Sequence, residues 1–165
     1  MSEIKDVLLL QLDHAWDHPW ESVQSSLKDV SEEMSSWQHE SFRGEEREAN
    51  WPLPGTILWQ LAHLANCKRH YTEMIKIRPN EPAEFQFLPR ERLGDALESL
   101  AQFHRELRTA IAALTASELN EKVSNGQTLV EFITMMIRHD AWHASQIKIA
   151  QRLWNTRTDG VAPGQ

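Results

Sequence analysis

The chain of 165 residues contains a single cysteine, Cys67. An internal disulfide is therefore excluded, and an isolated thiol suits the reducing cytoplasm, where we expect the protein to be located. The first residues, Met-Ser-Glu-Ile-Lys-Asp, do not have the pattern of a secretory signal peptide. No apolar run approaches the ~20 residues that a transmembrane helix needs, so we expect no membrane as a partner.

Basic residues are in the minority, with 17 Lys and Arg against 24 Asp and Glu and a net charge of -7. Proteins that bind nucleic acid usually carry a patch of basic residues, and no segment of this chain concentrates them. Nucleic acid is therefore not an expected partner. The sequence also lacks the G-x-S-x-G motif and any glycine-rich phosphate loop. Ser145 follows His143 by two residues, and such residues do not face each other on a helix, which argues against a serine nucleophile there.

The sequence does contain helical periodicity over most of its length. Apolar spacing predicts long helices over residues 3–18, from Gly55 or Thr56 to the residue before Pro79, over 89–114 and over 127–155. Shorter helical patterns cover 20–30 and the residues after Ser31, which has the position of an N-cap. Polar loops are expected at 39–54 and 80–88, and Asn125-Gly126 is a turn signal.

These elements predict an all-α protein with no strand. Connections of intermediate length favour antiparallel neighbours, so we expect an antiparallel four-helix bundle with short extra helices in the connections. The length suits a single domain, which we place at residues 1–156. Residues 157–165 hold two glycines and a proline and are predicted to form a flexible tail.

The fourth predicted helix carries two histidines, His139 and His143, four residues apart. Residues at this spacing lie one above the other on the same helical face. Here that face also carries Phe132, Met136 and Ile147, so both imidazoles are expected to point into the core. Two neutral ring nitrogens can bind one divalent ion, but a stable site needs at least a third ligand.

His63 is the leading candidate for the third ligand. It lies midway along the second long helix, on a stripe that also contains Trp59, Cys67, His70 and Met74. If this helix and the fourth are neighbours, three imidazoles meet at one level of the bundle. Three histidines with open coordination positions are typical of a reactive metal centre rather than a closed structural one.

Other residues could join the site, and the sequence leaves these alternatives open. Cys67 lies one turn from His63, and His70 follows on the same stripe. His14 and His18 form a second pair at the end of the first helix, next to Asp13 and Asp17, where a solvated cluster or a position at a pocket rim is expected.

Three further polar residues lie near these candidates in the sequence or share their residue type. Asp140 lies about 100° around the helix from His139. It could hold a ligating histidine by a hydrogen bond, but a solvated or salt-bridged carboxylate is the simpler interpretation. His39 and His104 have polar neighbours in the sequence and are predicted at the surface.

The pair His139 and His143 has an alternative interpretation without a metal. Two core histidines satisfied by hydrogen bonds would show the same spacing.

Two segments resemble the DinB/YfiT-like family of metal-binding four-helix bundles. They are Leu-Trp-Gln-Leu-Ala-His-Leu at 58–64 and His-Asp-Ala-Trp-His-Ala-Ser-Gln-Ile at 139–147. The order and separation of the long helices match over nearly the whole chain. Ser145 is a departure, because the family often has glycine there.

The resemblance implies that His63, His139 and His143 bind a divalent metal, often nickel or zinc. It also implies a homodimer and a cleft above the metal that is lined by the first helix. The family's activities include the transfer of low-molecular-weight thiols and the hydrolysis of related conjugates, which makes a small-molecule thiol or electrophile the expected substrate.

Two functions are compatible with these features. In the first, the protein is a metal-dependent enzyme that activates a water or a low-molecular-weight thiol, with Trp16, Trp20, Trp59 and Trp142 as candidate pocket walls; no residue is a clear general base. In the second, the metal only stabilises a dimeric bundle that serves as a binding or stress-response module. An open coordination position beside a cleft would favour the enzyme. A fourth protein ligand, with Cys67 and His14 the nearest candidates, would favour the structural role.

Overall fold

The computed structural model describes residues 3–42, 51–81 and 92–157. The regular elements in these ranges are all helices, apart from one isolated bridge between Lys122 and Thr128. The helices are α1 (Glu3–Asp17), α2 (Val23–Ser26), α3 (Glu32–Ser36), α4 (Ile57–Ile77), α5 (Leu93–Ala113) and α6 (Leu129–Thr156), with short 3₁₀ turns at Glu40–Phe42 and Glu118–Asn120. The predicted all-α class is therefore confirmed. None of the helices in these ranges has the length and apolarity needed to span a membrane.

Side-chain caps fix where several helices begin. The Ser31 hydroxyl accepts a hydrogen bond from the Met34 amide at 3.1 Å, and the Thr56 hydroxyl accepts one from the Trp59 amide at 3.0 Å. Thr128 and Glu131 cap each other's backbone amides at the start of α6. Since each cap satisfies an amide that the first turn leaves unpaired, these positions set the start of α3, α4 and α6.

One predicted helix is much shorter than expected. The apolar pattern over 20–30 indicated one continuous helix, whereas α2 covers only Val23–Ser26. Asp29 adopts a φ of 63°, in the left-handed region, and a right-handed helix cannot continue through such a residue. Four other predictions lie partly or wholly outside the described residues: the helix start at Pro89, the middle of the 39–54 loop, most of the 80–88 loop and the tail beyond Arg157.

The core consists of two clusters, one toward each end of the long helices. The first combines residues of α1 and α6 with residues from the carboxyl-terminal halves of α4 and α5: Leu8, Leu12, Met74, Ile75, Leu107, Ile111, Phe132 and Met136. The second combines the amino-terminal halves of α4 and α5 with later residues of α6: Leu58, Leu61, Leu93, Leu100, Ala144 and Ile147. Neighbours α4 and α5 therefore run in the same direction, and α6 runs opposite to both.

The expectation that consecutive long helices lie antiparallel does not hold for α4 and α5. A helix of 21 residues such as α4 is about 32 Å long. Residues 78–92, which join the two helices, could extend to about 50 Å. Because this connection is long enough to return along the full length of α4, the chain can start α5 beside the beginning of α4.

Candidate metal centre

The structure brings His63 of α4 together with His139 and His143 of α6. The Nε2 atom of His139 lies 3.3 Å from Nε2 of His63 and 3.0 Å from Nε2 of His143. One nitrogen of each ring lies within 4.8 Å of the other two. We call these three residues the histidine triad. Their convergence depends on α4 and α6 packing side by side, since the two elements are 76 residues apart at His63 and His139.

The spacing of the triad fits a metal ion. Imidazole nitrogens bind Zn²⁺ at about 2.0–2.1 Å, and two ligands of a tetrahedral ion at that distance lie about 3.3 Å apart. Both Nε2 separations in the triad are close to this value. The three imidazoles could therefore hold one divalent ion with little rearrangement.

A glutamine on α4 sets the orientation of His143. The Nδ1 atom of His143 donates a hydrogen bond to Oε1 of Gln60, since a carbonyl oxygen can only accept. In a neutral ring this leaves the Nε2 lone pair free, and Nε2 is the atom that faces the other two histidines. Hydrogen bonds of this kind commonly hold metal-binding histidines in the correct tautomer.

Burial keeps the triad neutral. Desolvation, with a smaller contribution from His139, lowers the pKa of His63 to about 4. Desolvation and the two neighbouring imidazoles lower the pKa of His143 to about 3. Burial and the Lys68 ammonium also lower the pKa of His139. Only the unprotonated ring can bind a cation, so these shifts favour metal binding over protonation.

Cys67 lies beside the triad without joining it. Its Sγ atom is 3.4 Å from Nε2 of His63, but the set of donor atoms that all lie within 4.8 Å of one another contains the three histidines alone. Burial raises the pKa of the Cys67 thiol to about 11, and the thiol hydrogen-bonds with Tyr71. No fourth His, Cys or carboxylate completes the group within the described ranges 3–42, 51–81 and 92–157.

The other histidine candidates from the first helix lie apart from the triad. The rings of His14 and His18 pair with each other at 5.7 Å, and His18 also contacts the edge of Trp20 at 6.0 Å. Neither belongs to the group of residues that could hold a metal.

Asp140 forms an ion pair with Lys68. The Lys68 Nζ atom lies 2.5 Å from Oδ2 of Asp140, and both side chains are only 3% exposed. The salt-bridged interpretation is therefore correct and the solvated one is wrong. Burial raises the pKa of the Asp140 carboxyl, and the Lys68 ammonium opposes that rise. Lys68 was not predicted to be part of this region, because a lysine inside a helix usually lies on the solvent face.

The prediction that His104 lies at the surface is wrong. His104 is 3% exposed, and its ring stacks on Trp16 with centroids 4.0 Å apart and planes 9° apart. A signal for this position was present, since Leu100, Leu107 and Ile111 follow the same helical spacing on α5 and are all buried. The polar neighbours in sequence lie on the opposite face of the helix.

A cavity of about 420 Å³ lies next to the triad, although none of the three histidines is among its described lining residues. Two of its walls contact triad rings directly. Trp59 stacks on His63 with centroids 5.1 Å apart and planes 4° apart, and Trp142 meets the ring of His143 at 4.8 Å. The described lining residues are Trp37, His39, Phe42, Pro54, Gly55, Trp59, Gln60, Trp142, Gln146, Ile149, Ala150 and Leu153.

The walls of this cavity differ from those expected. The resemblance implied a cleft lined by the first helix, but no α1 residue is among the described lining residues. Of the four candidate tryptophans, Trp59 and Trp142 line the cavity. Trp16 packs on His104, and Trp20 is 84% exposed elsewhere on the surface. Trp37 and Phe42 also line the cavity but were not predicted to do so. They precede α4 in a segment whose helical pattern is too short to show which side chains point inward.

Comparison with known proteins identifies the family. No curated protein and no solved structure matches the chain. A family model described as the DinB superfamily matches residues 15–147, a span that begins near the end of α1 and includes all three histidines of the triad. The match covers well over half of the chain and agrees with its all-helical fold. The protein therefore belongs to the DinB superfamily.

Proposed function

We propose that the histidine triad binds one divalent metal ion and that the protein is a metal-dependent enzyme, which activates a water or a low-molecular-weight thiol for transfer or hydrolysis. The observation that carries this proposal is the combination of three neutral imidazole donors, no fourth protein donor within the described residues, and an adjacent cavity. A divalent ion bound there would lower the pKa of a water or thiol beside it. Nickel and zinc are the proposed ions, because imidazole ligands suit both.

The chain's own residues keep the triad ready for this role. The Gln60 carbonyl oxygen accepts a hydrogen bond from Nδ1–H of His143 and so fixes which ring nitrogen faces the site. Trp59 covers one face of the His63 ring, and Trp142 packs against His143, which limits how far either ring can turn. His63 and His139 remain half-buried rather than sealed, so a small molecule can approach them.

The fold and assembly form part of the proposal. We infer a four-helix bundle of α1, α4, α5 and α6, in which α1 and α6 run opposite to α4 and α5, because all four helices share the first core cluster. A homodimer in the cytoplasm is also proposed. Exposed apolar side chains on α1, namely Ile4, Val7 and Leu10, offer surface for a partner subunit.

A second function has one observation in its favour. The triad joins α4 to α6, so a bound ion would stabilise the packing of these helices even without catalysis. In that case the protein is a metal-stabilised, dimeric binding or stress-response module. The two proposals share the metal site and differ in whether the cavity admits a substrate.

Metal content separates the triad from the other histidines. Protein purified without chelator should contain about one divalent ion per chain by elemental analysis, and His63→Ala, His139→Ala or His143→Ala should each lose it. His14→Ala is the matched control, because His14 is exposed and lies outside the triad. Retention of stoichiometric metal by all three triad variants would refute the site.

Turnover separates the enzyme from the binding module. Metal-loaded and chelator-treated protein would be compared across a panel of small thiols and electrophilic acceptors. We expect rates above background for the loaded protein alone. Equal background rates in both preparations would leave only the non-catalytic function.

A further inference from the structure

We propose that the cavity beside the triad binds a neutral, flat aromatic molecule that carries a hydrogen-bond acceptor, and that the amide nitrogen of Gln60 donates to this acceptor. The inference rests on the proposed function in one respect, since the bound molecule would be the substrate of the metal centre. Three features of the cavity support it: its aromatic walls, the lack of charge among its described lining residues, and the amide nitrogen of Gln60, which donates to no described residue.

The aromatic walls are held in place by neighbouring rings. Trp37 packs edge-on against Trp154 with centroids 5.8 Å apart. Trp59 is stacked on His63 and also contacts Trp51 at 6.4 Å. Rings that are already fixed lose little conformational entropy when a ligand binds, and they prefer a flat aromatic partner. The volume of about 420 Å³ suits a molecule of one or two fused rings.

The described part of the lining carries no formal charge. None of its described residues is Asp, Glu, Lys or Arg, and His39, the titratable member, shares a hydrogen bond of 2.8 Å with Ser41 through Nδ1. An ionic ligand would lose its hydration on entering the cavity, and no described lining residue offers an opposite charge in exchange. Transfer of an ion into such an apolar site is unfavourable. A cation could gain from the tryptophan faces, so the test below includes one.

Gln60 links the cavity to the triad. The residue is 8% exposed and lines the cavity, and its Oε1 atom is occupied by His143. The hydrogen bond to His143 uses only the oxygen of this side chain, and its Nε2 atom donates no hydrogen bond to any described residue. A ligand acceptor at this position would satisfy that donor. The same side chain would then orient His143 through its oxygen and the ligand through its nitrogen.

Equilibrium dialysis of the full, metal-loaded chain tests the ligand class with four compounds built on one ring system. N,N-Dimethylnaphthamide, called naphthamide below, is neutral and has a hydrogen-bond acceptor but no N–H donor. Naphthalene has neither, naphthoate is an anion and naphthylmethylammonium is a cation. We expect saturable binding of naphthamide and about fivefold weaker binding of naphthalene because one hydrogen bond is lost. In chelator-treated protein, where no metal ion adds charge beside the cavity, both ions should bind at least about tenfold more weakly than naphthamide. Absence of naphthamide binding, or tighter binding of either ion by the chelator-treated protein, would overturn the proposal.

Variants locate the bound probe. Trp142→Ala should weaken naphthamide binding about tenfold, whereas Trp20→Ala, which removes an exposed indole elsewhere, should leave it unchanged. Gln60→Glu keeps an oxygen to accept from His143 but replaces the donor by a second oxygen. The preference for naphthamide over naphthalene should therefore disappear in this variant. Equal weakening by both tryptophan variants, or an unchanged preference in Gln60→Glu, would contradict the proposal.

Failure of this inference is distinguishable from failure of the metal site. Metal content is measured on the same samples, and dialysis is repeated on chelator-treated protein. Binding of naphthamide by metal-free protein would uphold the cavity even if the triad held no metal. A stoichiometric metal content with no naphthamide binding would refute the cavity and leave the metal centre intact.

Discussion

Two polar clusters join α4 to α6, and they differ in whether the chain itself supplies a partner for every polar group. The Lys68–Asp140 pair is self-contained, because each buried charge meets its opposite at 2.5 Å. The histidine triad includes His139, which precedes Asp140 in the sequence. It brings three neutral nitrogen acceptors together, and no positively charged side chain belongs to the group. The ion pair therefore needs no external partner to join the two helices, whereas the triad is an arrangement of donors that could hold an external ion.

Breaking the ion pair should have the largest effect on stability. Lys68→Met leaves the Asp140 carboxylate buried without a partner, so the free energy of unfolding should fall by about 3–5 kcal/mol. Urea unfolding followed by circular dichroism measures the change. Arg108→Met is the control, because the Arg108–Asp13 pair is 45% and 40% exposed and should contribute at most about 1 kcal/mol.

A double variant checks this interpretation of the ion pair. Lys68→Met with Asp140→Leu removes both charges and should recover much of the lost stability, since an apolar pair of similar volume replaces them. If Lys68→Met alone costs no more than Arg108→Met, the pair is not the structural element that its burial indicates.

Weakening the support of the triad should reduce metal affinity without unfolding the protein. Gln60→Ala removes the acceptor for the Nδ1 proton of His143 and should lower the affinity for Zn²⁺ by about 10–100-fold. Competition with a chromophoric chelator measures this affinity. Gln146→Ala is the matched control, because Gln146 lines the same cavity but forms no hydrogen bond with the triad within the described residues. Equal affinities in the two variants would show that Gln60 does not orient His143.

A buried imidazole outside the triad should make stability depend on pH. Burial, reinforced by Lys68, lowers the pKa of His104 to about 3 from its ordinary 6.5; the nearby Asp13 opposes this and Arg105 and Arg108 add to it. As pH falls below 6.5, the unfolded chain takes up a proton that the folded chain refuses, so stability is lost toward acid pH. Each such group contributes about 1.4 kcal/mol per pH unit.

The pH prediction can be assigned to His104 with one substitution. His104→Phe keeps the stack on Trp16 but cannot titrate, so the slope of stability against pH between 6.5 and 4 should fall by about one proton. Urea unfolding of metal-free protein over this range measures the slope. An unchanged slope would show that His104 does not carry the effect, and the triad histidines would then account for it.

Sequence reasoning found what depends on local spacing. Helical periodicity placed α1, α4 and α6 close to their observed bounds, and the hydroxyl of Ser31 was recognised as a cap. The separation of four residues between His139 and His143 put both rings on one face. These features follow from the backbone geometry of a helix, which the local sequence controls.

The interpretation of other residues depended on which helices are neighbours. Lys68 and Asp140 are 72 residues apart, and nothing near either one in sequence shows that they meet. His104 is buried rather than exposed because Trp16 of α1 stacks on its ring. The parallel direction of α4 and α5 is possible because the chain between them is long enough to return to the start of α4.

By itself, the sequence determined the helices, their apolar faces and the three histidines most suited to metal binding. Only the tertiary structure decided that Nε2 of His63 lies 3.3 Å from Nε2 of His139, that Gln60 holds His143, and that tryptophans from separate segments enclose a cavity beside them. The physical reason is that periodicity fixes the direction of a side chain around its own helix. What that side chain touches is set by how the helices pack, which depends on contacts between residues far apart in the chain.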